Sequence, residues 1–136
     1  MGVSGSNTAV TSHGLLSGVG SDDHHAPTNV VMGVFSREFE AGTQEIACTG
    51  ITPEYVFFMF DRGGNGWSDG TTHWATLENS GGTQVRTISE CLKYYVDGSN
   101  YIGATVTSLD ADSFELTWTV TGSPAGSWTC RFWAIG

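Results

Sequence analysis

The residues best equipped for chemistry crowd near the N-terminus. The stretch SHGLLSGVGSDDHHAPT, Ser12 to Thr28, holds three of the four histidines, His13, His24 and His25, beside Asp22 and Asp23. Imidazoles and carboxylates are ligands for transition metals. One chain offers too few of them at useful spacing, but a threefold axis multiplies each one. His24 and His25 are the candidates for such an axial metal, and in an extended segment only one of the two neighbours can face the axis. The competing reading is a hydrated connector, in which His13, Leu15, Leu16, Asp22, Asp23, His24 and His25 serve attachment. The stretch is too rich in glycine for a stable helix and too polar for a core strand.

A second group, Trp67, Asp69, His73 and Trp74, combines flat aromatic faces with polar groups. That is the chemistry of sugar-ring recognition and of wet protein contacts. Its structural alternative has both tryptophans covering the end of a core or a subunit interface, with Asp69-Gly70 making a turn. Ser68, Asp69 and His73 are also the residue types of a nucleophilic triad, yet no GxSxG elbow frames the serine. The glycines at 63, 64 and 66 are not followed by GK[ST], so they make no phosphate loop. Asp110 and Asp112 read as turn residues. No catalytic residue is assigned, and the expectation is a non-enzymatic protein. Asp61, Arg131 and Trp133 form a further candidate surface, where an outward Arg131 suits an intersubunit pair with a carboxylate.

Composition narrows the partners. Five Lys and Arg against 14 Asp and Glu give a net charge of -9. Nucleic acid and anionic membranes both call for a basic surface, so neither is an expected partner. No apolar run reaches the roughly 18 residues of a membrane helix, and no secretory signal pattern opens the chain. Met1-Gly2 reads as an ordinary start. Cys48, Cys91 and Cys130 are odd in number and widely spaced, which fits buried free thiols better than a disulfide framework. One disulfide with one free cysteine remains the alternative.

The elements that must position these groups are all β. Residues 1–28 form a connector, and the composition changes at Asn29, where a strand-like run begins at Val30. Ser113 to Thr121 alternates cleanly, with Phe114, Leu116, Trp118 and Val120 on one side. The last strand puts Trp128, Cys130, Phe132 and Ala134 on one parity and Thr129, Arg131 and Trp133 on the other. Tyr55 to Asp61 is apolar at both parities, as a strand covered on both faces should be. Gln84 to Tyr95 reads as one long strand, and residues 62–70 as a glycine-rich excursion. The expected fold for residues 29–136 is an antiparallel β-sandwich of about six to eight strands, its final residues paired.

Two parts of the chain resemble known families. His13-Gly14-Leu15-Leu16-Ser17-Gly18, followed by Asp22-Asp23-His24-His25, resembles a segment of bacteriophage tail-fibre and other virion appendage proteins, which sits before a trimeric domain. Residues 29–136 resemble an H-type-lectin domain through Phe35, Thr52-Pro53-Glu54-Tyr55-Val56, Asp112-Ser113-Phe114-Glu115-Leu116 and Phe132-Trp133-Ala134-Ile135-Gly136. The resemblance implies a homotrimer on the virion surface, attached to a capsid or fibre-base protein through its N-terminus. The excursion has no place in the lectin pattern, so no sugar-binding residue is carried over. A short chain opening on Met1 suits a capsid decoration or head-fibre protein better than part of a long tail fibre. A lectin attaching to a host surface glycan is the alternative. Trimer formation has its own physical argument, because Val56 to Phe60, Phe35, Phe39 and the tryptophans exceed what one small sandwich core needs.

Overall fold

The computed structural model describes residues 29–61, 64–78 and 84–136. The proposed connector, with His13, Leu15, Leu16, Asp22, Asp23 and the candidate metal ligands His24 and His25, lies outside the described residues. What is described is all β and forms two antiparallel sheets packed as a sandwich. Ten strands run in chain order: β1 (Val30–Glu38), β2 (Gly42–Ala47), β3 (Tyr55–Phe60), β4 (Asn65–Ser68), β5 (His73–Glu78), β6 (Gln84–Thr87), β7 (Leu92–Tyr95), β8 (Tyr101–Asp110), β9 (Ser113–Thr121) and β10 (Ser127–Ile135). One sheet has the order β1-β10-β3-β4-β5-β6 and the other β2-β9-β8-β7.

The inner faces meet in an aromatic core. Alternation along β10 buries Trp128, Cys130, Phe132 and Ala134, and alternation along β9 buries Phe114, Leu116 and Trp118. Phe58 and Phe132 of the first sheet meet Phe114 of the second edge-on, at centroid distances of 5.9 and 5.2 Å. Trp118 and Trp128 make a similar contact at 6.2 Å. Phe35, counted among the apolar residues in excess of one core, lies in this core. Gln44 fastens the paired edges: it accepts a hydrogen bond from Trp118 Nε1 at 3.1 Å and donates one to the Ser36 carbonyl, also at 3.1 Å.

The turns use local chemistry. Asp97 Oδ1 accepts from the Ser99 and Asn100 backbone N–H groups, closing the β7–β8 hairpin. Asp112 takes a positive φ of 67° between β8 and β9, and its carboxylate accepts the Gly50 N–H at 2.6 Å. Asn29 and Gly136 exchange backbone hydrogen bonds of 3.0 and 3.1 Å, so the last residue is paired as expected.

Three expectations change. Among the described residues the strand count is ten rather than about six to eight. The presumed excursion contains β4, which pairs with β3 on one side and β5 on the other. Gly64 and Gly66 permit close approach: a Cβ on Gly64 would meet the Phe60 ring, and one on Gly66 would strike the Cys91 carbonyl, where the chain entering β7 crosses the sheet. The presumed single strand Gln84–Tyr95 is two, β6 and β7, in different sheets. The chain changes sheets at residues 88–91, where exposed Ile88 gives way to buried Cys91.

The three cysteines are free and buried. Burial raises the Cys91 thiol to about 12, and it raises Cys48 and Cys130 as well. None should react with an aromatic disulfide reagent at mildly alkaline pH in the folded chain, and all should react after unfolding. Native reaction at any of them would contradict this packing. Gly66→Ala should destabilise the fold by about 3 kcal/mol in urea titrations, since the obstacle is backbone. Gly98→Ala, with open space around it, should change stability by less than about 0.5 kcal/mol.

Candidate functional site: the outer face of the six-stranded sheet

Strand alternation separates the four residues nominated for sugar binding. Trp67 and Trp74 are opposite each other on β4 and β5, and Ser68 is opposite His73 one step along. Successive residues point to opposite sides of a sheet. The two tryptophans therefore share the outer face, stacked at 6.0 Å with 15° between their planes. Ser68 and His73 share the inner side, and Ser68 has no exposed surface.

Asp69 belongs to neither face. Its Oδ1 accepts hydrogen bonds from the backbone N–H of Thr71 and Thr72 and from the Thr71 hydroxyl, at 2.8, 2.6 and 2.8 Å. These contacts hold its carboxyl below the usual carboxylate range. Asp69 thus builds the β4–β5 turn. The Ser68 hydroxyl lies 3.0 Å from His73 Nδ1 and accepts the Gly70 N–H at 2.9 Å. A nucleophile needs access to its substrate, and this buried serine has none in the described conformation.

What the topology assembles instead is a broad apolar surface. Backbone pairing aligns Met32, Trp133, Phe57, Trp67 and Trp74 in one row across β1, β10, β3, β4 and β5. The next row toward one end is Val34, Arg131, Met59, Asn65 and Thr76, and toward the other end Val30, Ile135 and Tyr55. Met32 is 69% exposed, Val34 56% and Met59 51%. Tyr55 and Phe57 are exposed too, so the outer half of doubly apolar β3 has no cover among the described residues. Arg131 does point outward on this face, and Asp61 and Thr129 stand one row beyond it.

The outer face of the other sheet has the opposite character. Thr105, Thr107, Glu115, Thr117, Thr119 and Thr121 line β8 and β9. Thr107 donates to Glu115 Oε1 at 3.0 Å and accepts from Thr117 at 3.2 Å. Beside them Lys93 pairs with Glu90 at 2.7 Å, its ammonium 4.4 Å from the Tyr101 ring centroid. The sequence reading missed this cluster, because Glu90 and Lys93 lay inside a strand drawn too long. It also missed the contribution of β1, although Val30, Met32 and Val34 share β3's signal of apolar residues at both parities.

No cluster of potential metal ligands occurs among the described residues. Compared with protein-family models, with curated proteins and with solved structures, the chain has no significant match.

His73 gives this region a pH signature. Burial outweighs the attraction of Asp69 and lowers its pKa from the ordinary 6.5, favouring the neutral ring in the folded chain. Below that ordinary value the unfolded chain takes up the proton first, so stability falls as pH drops through the lowered folded value. His73→Gln should lack this component. Urea midpoints of wild type and variant, compared between about pH 7.5 and about pH 5.5, would test it. An equal loss in both proteins would remove His73 as the cause.

Proposed function

We propose that this chain is a non-enzymatic structural protein of a bacteriophage virion, a homotrimeric capsid-decoration, head-fibre or fibre-knob subunit. In this reading residues 29–136 are an H-type-lectin-like trimerisation knob. Residues 1–28 attach it to a capsid or fibre-base protein at the virion surface. The observation that carries the proposal is the contrast between the two outer faces. One is a threonine-rich surface suited to water. The other exposes Met32, Val34, Phe57 and Met59 in a continuous field with Trp67 and Trp133.

An apolar field of this extent marks an interaction surface. Covering it contributes roughly 25 cal/mol per Å² of apolar area, which opposes the repulsion between chains of net charge -9. Three such faces directed at a threefold axis cover one another and leave the threonine-rich sheets outside. The resemblance of residues 13–25 to appendage connectors supports attachment through that end.

The stacked Trp67 and Trp74 favour a second reading, a carbohydrate-binding module for host attachment. A sugar ring can lie against such a platform. The two readings compete for the same surface, since tryptophans enclosed between subunits are closed to a glycan.

Native mass measurement at micromolar concentration should give three times the 14.5 kDa chain mass. Phe57→Asp should give a folded monomer, because its ring lies outside the core. A wild-type monomer over that range would overturn the trimer. Density for the protein on intact capsids or fibres, without glycan binding, would favour the structural role. Glycan binding abolished by Trp67→Ala or Trp74→Ala would favour the lectin.

A further inference from the structure

We propose that Arg131 and Asp61 set the register of association, the guanidinium of one copy pairing with the Asp61 carboxylate of a second copy of this chain. The inference rests on the reading of the outer face as an interface between copies. It adds the polar contact that selects one arrangement of otherwise apolar surfaces.

Arg131 lies on β10, and Asp61 follows the end of the adjacent strand β3. Arg131 is aligned with Met59, and the Asp61 N–H donates to the Thr129 carbonyl at 3.2 Å, which places the carboxylate one row further along. Both are exposed. A concavity of about 110 Å³ lies between them, lined by Met59, Phe60, Asp61, Thr129 and Arg131. The side chains therefore border one notch, yet they form no ion pair with each other.

The other basic side chains described are already committed. Arg37 donates to the Glu40 and Ala41 carbonyls and lies against Trp118, while Lys93 is held by Glu90. Among the described residues, Arg131 is the basic group that neither a carboxylate nor a carbonyl engages. It sits between Val34 and Met59, inside the area that association would cover.

This position restricts what can cover the face. Enclosing an unpaired guanidinium is strongly unfavourable, so the covering surface must bring an acceptor. A second copy always does, because Asp61 belongs to the same patch. Around a threefold axis the two residues alternate from copy to copy, giving each Arg131 a neighbouring Asp61. A purely apolar partner leaves the charge stranded, and a slipped register brings like charges together.

Charge exchange tests the pairing. Arg131→Asp and Asp61→Arg should each weaken assembly at least about tenfold in concentration-dependent native mass or sedimentation measurements. The double variant, with the charges exchanged, should return to within about threefold of wild type. Unchanged thermal melts of dilute protein would show that the variants still fold. Assembly of Arg131→Asp at wild-type concentrations would overturn the pair while leaving the interface standing. Loss in the single variants without recovery in the double would assign Arg131 a different partner and overturn this one. A wild-type monomer would overturn both the pair and the reading beneath it.

Discussion

The contact of Phe58 and Phe132 with Phe114, edge against face between the sheets, is the interaction on which the rest of the architecture depends. Edge-to-face aromatic packing is directional, so it fixes how the sheets lie over one another as well as holding them together. It also fixes the parity of every neighbouring strand. Once Phe58 points inward, Phe57 and Met59 point outward, and once Phe132 is inside, Arg131 and Trp133 are outside. A slip of one residue in either strand would exchange that strand's two sets, and in β10 it would place Arg131 in the core. The apolar outer face is therefore no accident of loose packing. It is the other half of strands whose inner half is fully determined.

Much of this was legible in the residues themselves. SFELTWTVT and SWTCRFWAI announce their buried sides through simple alternation, and YVFFMF announces that both of its sides are apolar. The sequence did not reveal that the second side of that strand is uncovered by the described residues. A continuous apolar run has the same appearance whether its cover comes from its own chain or from another. The glycine-rich excursion misled for a related reason. Glycine at position 66 serves a backbone crossing from the other sheet, a tertiary requirement invisible in local propensity, whereas turns such as Asp97–Asn100 follow from short-range chemistry alone. The break between β6 and β7 was hidden because alternation is identical in both sheets, so it carries no record of which sheet a strand joins.

The nominated site shows the same limit at the level of single residues. Trp67 and Asp69 have residue types that suit a shared site, but adjacency in the chain is not adjacency in a sheet. The pleat sent the tryptophans one way and His73 the other, and Asp69 was taken by its own turn. Trp133 and Phe57, distant in sequence, became Trp67's companions through β10 and β3. A functional reading of a β protein gains most from knowing strand order, because order converts parity into a surface.

The reciprocal hydrogen bonds between Asn29 and Gly136 make the described chain nearly a closed loop. A short flexible linker between those residues, with new ends opened at the exposed Asp97-Gly98-Ser99 turn, would give a circular permutant in which every strand keeps its partners. Such a chain would carry the former N-terminal end of β1 as an internal crossing beside Ile135. Material fused to its new ends would leave from the β7–β8 turn, giving a point of display separate from the place where residues 1–28 join the fold.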